Sequence, residues 1–100
     1  MTLIILDAAE REFNASVDYY ESREPGLGVE FRTEAEAIFE RILRNPELPH
    51  LRRGLYRRIN FPVFTYYAAY IIRGDVVWVV AIAHAHRQPE FWLNRTRPFN

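Results

Sequence analysis

The stretch Asp75–Trp92, DVVWVVAIAHAHRQPEFW, decides the fold. It opens with eight consecutive apolar residues, Val76–Ala83, most of which are β-branched. Such a run has no helical period and follows a glycine-containing turn, so it predicts a strand that is buried on both faces. The run ends in His84, His86 and Arg87. We therefore expect this strand to carry two imidazole groups and a guanidinium group to its exit.

Two amphipathic helices are predicted upstream of this strand. The first runs from about Ala8 to Arg23, with Asp7 and Glu10 forming a capping-box-like start. Its apolar face consists of Ala9, Phe13, Val17 and Tyr20. The second runs from about Gly28 to Arg44. Its apolar face consists of Phe31, Ala35, Ile38 and Ile42. Two helices joined by a few residues form an antiparallel hairpin, which must bury its apolar faces on another layer.

Three more strands are predicted, at Leu3–Leu6, Leu51–Asn60 and Val63–Ile72. The last two precede Val76–Ala83 with short turns between them, which predicts an antiparallel meander. The first strand must join the same sheet, because its apolar residues would otherwise be exposed. The order β-α-α-β-β-β predicts an α+β fold with the helical hairpin on one face of a mainly antiparallel sheet. We expect residues 1–100 to form a single domain.

The composition excludes several classes of protein. No apolar run reaches the roughly 18 residues that a membrane-spanning helix needs, and the first ten residues lack the basic region of a signal peptide. The chain contains no cysteine, which excludes disulfides and thiolate chemistry. We therefore expect a cytoplasmic protein with no membrane association, and no residue pattern calls for a cofactor.

The charges are divided unevenly along the chain. Residues 1–50 carry eleven acidic residues against five arginines, whereas residues 51–100 carry eight arginines against two acidic residues, and lysine is absent. One interpretation is codon bias with solvated helix faces. The other is a basic sheet surface that binds an anionic partner and lies beside acidic helices, with no matching acids in its own half of the chain.

The densest basic cluster surrounds Tyr56 and consists of Arg52, Arg53, Arg57 and Arg58. Arginine contacts a nucleic acid backbone and tyrosine can stack on a base, so the cluster is one candidate phosphate-contacting strand. The alternative is an exposed strand that pairs with acidic residues of the helices or of a partner. In an extended strand Arg58 shares a face with Tyr56, whereas Arg53 and Arg57 lie on the other face.

The end of the buried strand also allows two interpretations. His84 and His86 would point to one face, but no third ligand is evident, so no metal site is predicted. RNA cleavage through the 2′-hydroxyl would need a base, an acid and cations, roles that a histidine with Arg58 and Arg87 could fill. The other interpretation is that His84 is a hydrogen-bonded strand-end residue and that Arg87 pairs with a helix acid. Phe91 and Trp92 either clamp the C-terminus on the core or form part of a partner surface.

Taken in order, several short pieces resemble the toxins of the RelE/ParE superfamily from bacterial type II toxin–antitoxin modules. The pieces are Tyr19-Tyr20-Glu21; Gly26-Leu27-Gly28 with Phe31; Ile42 with Pro46; Arg57-Arg58; Phe61-Pro62 with Tyr66 and Tyr67; and Ala81-Ile82-Ala83-His84 followed by Arg87, Pro89 and Trp92. The resemblance covers nearly the whole chain. The family fold, two helices on an antiparallel sheet, agrees with the one predicted from the residues.

The resemblance implies a growth-inhibiting toxin, associated with plasmid stabilisation, that a co-encoded antitoxin neutralises by wrapping around it in a hetero-oligomer. RelE-like members cut mRNA on the ribosome, whereas ParE-like members inhibit DNA gyrase. This chain has no lysine and no tyrosine after Arg87, with Phe91 in its place, which favours the ParE-like type. His84, Arg87 and Arg58 would be catalytic only in a RelE-like toxin. The expected antitoxin- or target-binding residues are Arg52, Arg53, Tyr56, Arg57, Arg58, Phe91 and Trp92.

Overall fold

In the computed structural model, which describes all 100 residues, the long apolar run forms one of the two inner strands of a four-stranded sheet. This strand, β4, spans Val76–His84. Its parallel neighbour is β1, Thr2–Ile5, and its antiparallel neighbour is β3, Tyr66–Arg73. The edge strand β2, Arg57–Asn60, pairs antiparallel with β3, so that the order is β1-β4-β3-β2. The predicted meander is confirmed, as is the joining of the first strand to it.

Both predicted helices are present and pack on one face of the sheet. Helix α1 spans Asp7–Arg23 and helix α2 spans Leu27–Arg44. The four apolar residues predicted for the buried face of α2 are all buried, whereas on α1 Ala9 and Val17 are buried and the two aromatic residues are partly buried. At the centre of this layer the ring of Phe31 lies 5.1 Å from that of Phe64 and 4.9 Å from that of Tyr66, centroid to centroid. The α+β prediction is therefore confirmed.

The turn between the helices depends on two glycines and one carboxylate. Gly26 precedes α2 with a φ of 91°, a left-handed conformation that glycine adopts without steric strain. The Glu21 carboxylate accepts hydrogen bonds from the backbone N–H groups of Gly26 (2.9 Å) and Gly28 (3.1 Å), and so it caps the second helix from the first. A β-carbon at Gly28 would lie 2.6 Å from the Val17 carbonyl oxygen, so the close approach of the helices requires glycine there.

The predicted capping box at the start of α1 is wrong. The N-cap residue is Leu6, and no side chain forms a cap hydrogen bond. Asp7 does not occupy the N-cap position because it is the first residue of the helix. The Glu10 N–H instead bonds to the Leu6 carbonyl at 2.9 Å. Asp7 and Glu10 remain favourable in the first turn because their negative charges face the positive end of the helix dipole.

Two of the predicted strands begin later than their sequence suggests. Residues 51–56 do not extend β2, because Arg52 and Tyr56 form an isolated bridge around a tight turn. Arg53 and Gly54 take left-handed conformations in that turn, with φ values of 54° and 61°. Residues 63–65 do not extend β3, because the Glu34 carboxylate of α2 accepts the N–H groups of Val63 and Phe64 at 2.7 and 3.2 Å. These side-chain bonds hold the chain in a bend.

The face of the sheet opposite the helices is covered by the C-terminal segment, residues 85–100, which includes a short 3₁₀ helix at Leu93–Phe99. Trp92 is 1% exposed, and its indole N–H donates a hydrogen bond to the Tyr67 hydroxyl oxygen at 2.8 Å. The clamping role predicted as one alternative for Trp92 is therefore confirmed. Neither helix of the fold combines the length and the apolar character needed to cross a bilayer.

Candidate functional site

A cleft of about 200 Å³ lies where β4 extends beyond the end of β1, and we call it the strand-end cleft. Strand β1 pairs with β4 only as far as Val79. Beyond that point side chains replace the missing strand. The Glu12 carboxylate accepts the Ile82 N–H at 3.2 Å, and the Arg95 guanidinium donates to the Val80 carbonyl at 3.1 Å. The cleft is lined by Glu12, Ala15, Ser16, Tyr66, Ile82, Ala83, His84 and Arg87.

His84 lies in this cleft with its ring 5.3 Å from the Tyr66 ring and 5.1 Å from the His86 ring. Its Nδ1 accepts the backbone N–H of His86 at 3.1 Å. In the neutral imidazole the proton is then on Nε2, which makes that atom a hydrogen-bond donor. No group of three or more histidine, aspartate or glutamate side chains is placed to hold a metal ion. His84 is thus the hydrogen-bonded strand-end residue that one of the two interpretations predicted.

Arg87 lies at the rim of the same cleft and pairs with α1, as the same interpretation predicted. One of its terminal nitrogens is 4.0 Å from the Glu12 carboxylate, and its guanidinium carbon is 3.7 Å above the centroid of the Phe91 ring. Glu12 also binds Arg95 through both carboxylate oxygens, each at 2.9 Å. Two guanidinium groups therefore share one carboxylate that is itself only 17% exposed.

Arg58 is separated from the other two residues of the possible catalytic set. Its guanidinium carbon is 3.8 Å from the centroid of the Tyr67 ring, and its Nε donates to the Asn60 side-chain oxygen at 3.2 Å. Tyr67 belongs to the buried cluster on the face opposite the helices, whereas Tyr66, the cross-strand partner of His84, packs against the helical core. The structure therefore brings His84 and Arg87 together but places Arg58 on the other face of the sheet.

Arg53 is engaged by an acid from its own half of the chain, so the expectation that no such acid exists is wrong. The Glu90 carboxylate accepts two hydrogen bonds from Arg53 and one from the Tyr56 hydroxyl, all at 2.6 Å. The hydrogen bonds from Arg53, which has the larger effect, and from Tyr56 lower the pKa of Glu90 to about 2. Burial, followed by the bond to Glu90, raises the pKa of Tyr56 to about 12.

The remaining arginines of the cluster point in different directions. Arg57 donates to the backbone carbonyls of Glu47 (3.1 Å) and Pro49 (2.7 Å), and Arg52 has a buried Nε with no hydrogen-bond partner. The strand alternation predicted for the cluster holds for Arg57 and Arg58, but the turn at Arg53 interrupts it. The prediction of a continuous basic face on the sheet is therefore wrong. Tyr56 and Trp92, which were expected among the partner-binding residues, are buried.

Two organising residues were missed by sequence reasoning, Glu12 and Glu90. Glu12 looked like one of many solvated helix acids, but it directly precedes Phe13 of the apolar face, which places it at the edge of the buried layer. Glu90 had a weaker signal. It is one of only two acids in the second half of the chain, and the left-handed φ of 56° that brings it towards Arg53 has no signature in the sequence.

The end of the helical hairpin, which we call the hairpin tip, exposes apolar side chains to solvent. Tyr19 of α1 is 52% exposed and Val29 of α2 is 64% exposed. The guanidinium carbon of Arg23 lies 5.5 Å from the centroid of the Tyr19 ring, which adds a positive charge to this surface. Aromatic rings and arginines are enriched at the centres of protein interfaces, so the hairpin tip has the composition of a contact surface.

Comparison with known proteins agrees with this fold. No curated protein matches the chain significantly. A family model described as the ParE toxin of the type II toxin–antitoxin system parDE matches residues 3–89, a range that begins in β1 and continues past the strand-end cleft. This match covers most of the sequence and all the regular elements except the C-terminal 3₁₀ helix. The chain therefore belongs to the family of ParE toxins of type II toxin–antitoxin systems.

Proposed function

We propose that this toxin arrests growth in the cytoplasm by binding DNA gyrase, and that a co-encoded antitoxin neutralises it in a hetero-oligomer. Such a pair would stabilise a plasmid that encodes both proteins, because cells that lose the plasmid lose the source of the antitoxin. The observation that carries the proposal is membership of the ParE family over residues 3–89.

The arrangement of the candidate catalytic residues supports a binding role. Phosphoryl chemistry on RNA requires the acid, the base and the cations to converge on one phosphate. Arg58 lies on the face of the sheet opposite His84, and Arg87 shares the Glu12 carboxylate with Arg95. The Glu12 carboxylate also occupies both guanidinium groups at the strand-end cleft, so a phosphate would have to compete with it for their N–H donors.

The hairpin tip is the surface that we assign to the gyrase contact, because it combines exposed apolar side chains with a cation. The test is a supercoiling assay with purified gyrase and purified toxin. The wild type should inhibit supercoiling, and Val29→Asp should weaken inhibition at least tenfold by placing a desolvated charge in the contact. The control is Val63→Asp, which makes the same change at an 81% exposed valine in the bend before β3 and should retain wild-type potency.

Full gyrase activity at a high concentration of folded wild-type toxin would contradict the gyrase proposal. Equal loss of potency in Val29→Asp and Val63→Asp would leave gyrase as the target but contradict the assignment of the hairpin tip. Normal growth after expression of the folded protein without its antitoxin would contradict the toxin role itself and favour a plain interaction module.

A second candidate function is ribosome-dependent mRNA cleavage, and one observation favours it. His84 and Arg87 line the same cleft, and the Tyr66 ring adjoins His84. This candidate predicts codon-positioned cuts in mRNA during growth arrest, which His84→Ala and Arg87→Ala would abolish. Intact messages in arrested cells, with gyrase inhibited, would eliminate it.

A further inference from the structure

The corner of the sheet opposite the strand-end cleft contains a second uncovered strand end. Strand β3 continues to Arg73, but β2 pairs with it only as far as Tyr70. The carbonyl of Ile72 accepts a hydrogen bond from the Arg73 guanidinium at 2.9 Å, and β2 does not extend to this residue. The turn at residues 52–56 and the loop at residues 45–50 flank a cleft of about 240 Å³ at this corner, which we call the β3 cleft.

Apolar side chains form half of the lining of the β3 cleft. Leu51, Leu55, Tyr70 and Ile72 contribute this surface. Leu51 is 48% exposed, and Leu48 in the adjoining loop is 68% exposed. A partner that covered these two leucines would remove apolar surface from water, which favours binding. A concave site at an uncovered strand end with leucines at its rim is suited to an extended peptide segment.

The charges of the β3 cleft define the segment further. Arg57 donates only to the carbonyls of Glu47 and Pro49, and Arg73 donates only to the carbonyls of Ile72 and Phe99. Neither guanidinium forms an ion pair, although the Glu47 side chain also lines the cleft. Arg53, Arg87 and Arg95, by contrast, are each paired with a carboxylate. The β3 cleft therefore holds positive charge that an incoming carboxylate would neutralise.

We propose that the β3 cleft binds an extended, acidic, leucine-bearing segment of the antitoxin. The segment places an aliphatic side chain between Leu51 and Leu55 and a carboxylate on the guanidinium groups of Arg57 and Arg73. A nucleic acid fits less well, because the rings beside the cleft, Tyr56 and Tyr70, are buried and offer no face for a base to stack on. The identity of the partner as an antitoxin rests on the proposed function. The acidic and aliphatic character of the bound segment rests on the residues of the β3 cleft.

The test measures the affinity of the full-length toxin for the antitoxin encoded beside it. Arg73→Glu reverses the charge of the cleft. Leu51→Asp places a charge in its apolar rim, at a side chain that is already exposed. Each variant should bind the antitoxin at least tenfold more weakly than the wild type, and the deficit of Arg73→Glu should shrink as salt is raised. The control is Arg32→Glu, the same charge change on the exposed face of α2, which should bind within twofold of the wild type.

The outcomes separate this inference from the proposed function. A wild-type toxin that does not bind the antitoxin would overturn the proposed neutralisation and the partner named here. If the wild type binds the antitoxin and both cleft variants bind it within twofold of the wild type, only the assignment of the segment to the β3 cleft would be overturned. Binding of a DNA duplex that Arg73→Glu abolishes, with antitoxin binding unchanged, would assign the cleft to nucleic acid and also overturn the inference. Thermal unfolding of each variant establishes that it is folded before its affinity is compared.

Discussion

The two faces of the sheet are covered in different ways. On one face the helices α1 and α2 pack through a continuous apolar cluster in which aromatic rings surround Phe31. On the other face the C-terminal segment buries Trp92 and packs the partly buried side chains of Phe91, Leu93 and Phe99 against the sheet. Polar contacts of Glu12 and Glu90 also fasten this segment. The helical layer thus depends mainly on apolar area removed from water, whereas the C-terminal layer combines apolar contacts with a few directed, charge-assisted hydrogen bonds.

This difference determines how each layer should respond to change. Apolar burial is non-directional and does not depend on protonation, so the helical layer should lose stability in proportion to the volume removed. Charge-assisted hydrogen bonds are directional and depend on the ionised form of each carboxylate. The C-terminal layer should therefore be sensitive to single-atom substitutions and to acid, and the following predictions test this contrast.

The largest effect is expected from Phe31→Ala in the helical layer. Phe31 is fully buried, and its removal should destabilise the protein by about 3–5 kcal/mol, since lost transfer free energy and a cavity add together. Denaturant unfolding measures this loss. Val29→Ala on the same helix is the control and should change stability by no more than about 0.5 kcal/mol, because Val29 is exposed. A loss below about 1 kcal/mol for Phe31→Ala would show that the ring cluster is not the main support of this layer.

The next largest effect is expected from Glu12→Gln, which weakens the attachment of the C-terminal layer. Replacing one acceptor oxygen by an amide breaks the bidentate pair with Arg95, at a cost of about 1–3 kcal/mol. Hydrogen exchange should become faster in residues 85–100 while α2 keeps its protection. Asp18→Asn, an exposed change on the same helix outside its first and last turns, should leave both rates unaltered. Uniformly faster exchange in both layers would mean that the layers open together.

A smaller effect should appear in the pH dependence of stability. The pKa of Glu90 is lowered to about 2 in the folded protein from an ordinary value of 4.5. A depressed carboxyl pKa contributes stability that is fully present above pH 4.5 and is lost as pH falls towards 2. Glu90→Gln should therefore flatten the fall in the unfolding temperature across this window. An identical acid profile in the variant would show that the bonds to Arg53 and Tyr56 do not contribute to stability.

The smallest effect is expected from Asp7→Asn at the start of α1. Because the Asp7 side chain forms no cap hydrogen bond, the substitution should remove only its interaction with the helix dipole, about 0.3–1 kcal/mol, and less at high salt. Thermal unfolding at two salt concentrations measures this. A salt-independent loss of about 2 kcal/mol would indicate a true side-chain cap.

The sequence predicted those elements whose signal is local. The apolar spacings of α2 and the β-branched run of β4 are repeated patterns within one element, and both were placed within one residue of their observed bounds. The starts of β2 and β3 were wrong by six and three residues, because the bends before them depend on other causes. One depends on the left-handed conformation of Arg53, and the other on Glu34 of the distant helix.

The candidate sites were predicted less well than the fold. His84 and Arg87 do meet in one cleft, as their proximity in the sequence suggested, but Arg58 lies on the other face of the sheet. The basic cluster that the sequence grouped by proximity is dispersed, because the turn at Arg53 breaks the strand alternation. Glu12 and Glu90 act across 83 and 37 residues of sequence, and no local pattern announces such pairs.

The sequence by itself determined the element order, the buried faces of the helices and the double-sided burial of β4, because these follow from hydrophobic periods that each element carries internally. The tertiary structure alone decided which arginines are neutralised and which remain available to a partner. A guanidinium is paired or free according to where a carboxylate from another element lies in space, and packing sets that position. For this toxin, packing pairs Arg53, Arg87 and Arg95 and leaves Arg57 and Arg73 bound only to neutral carbonyls.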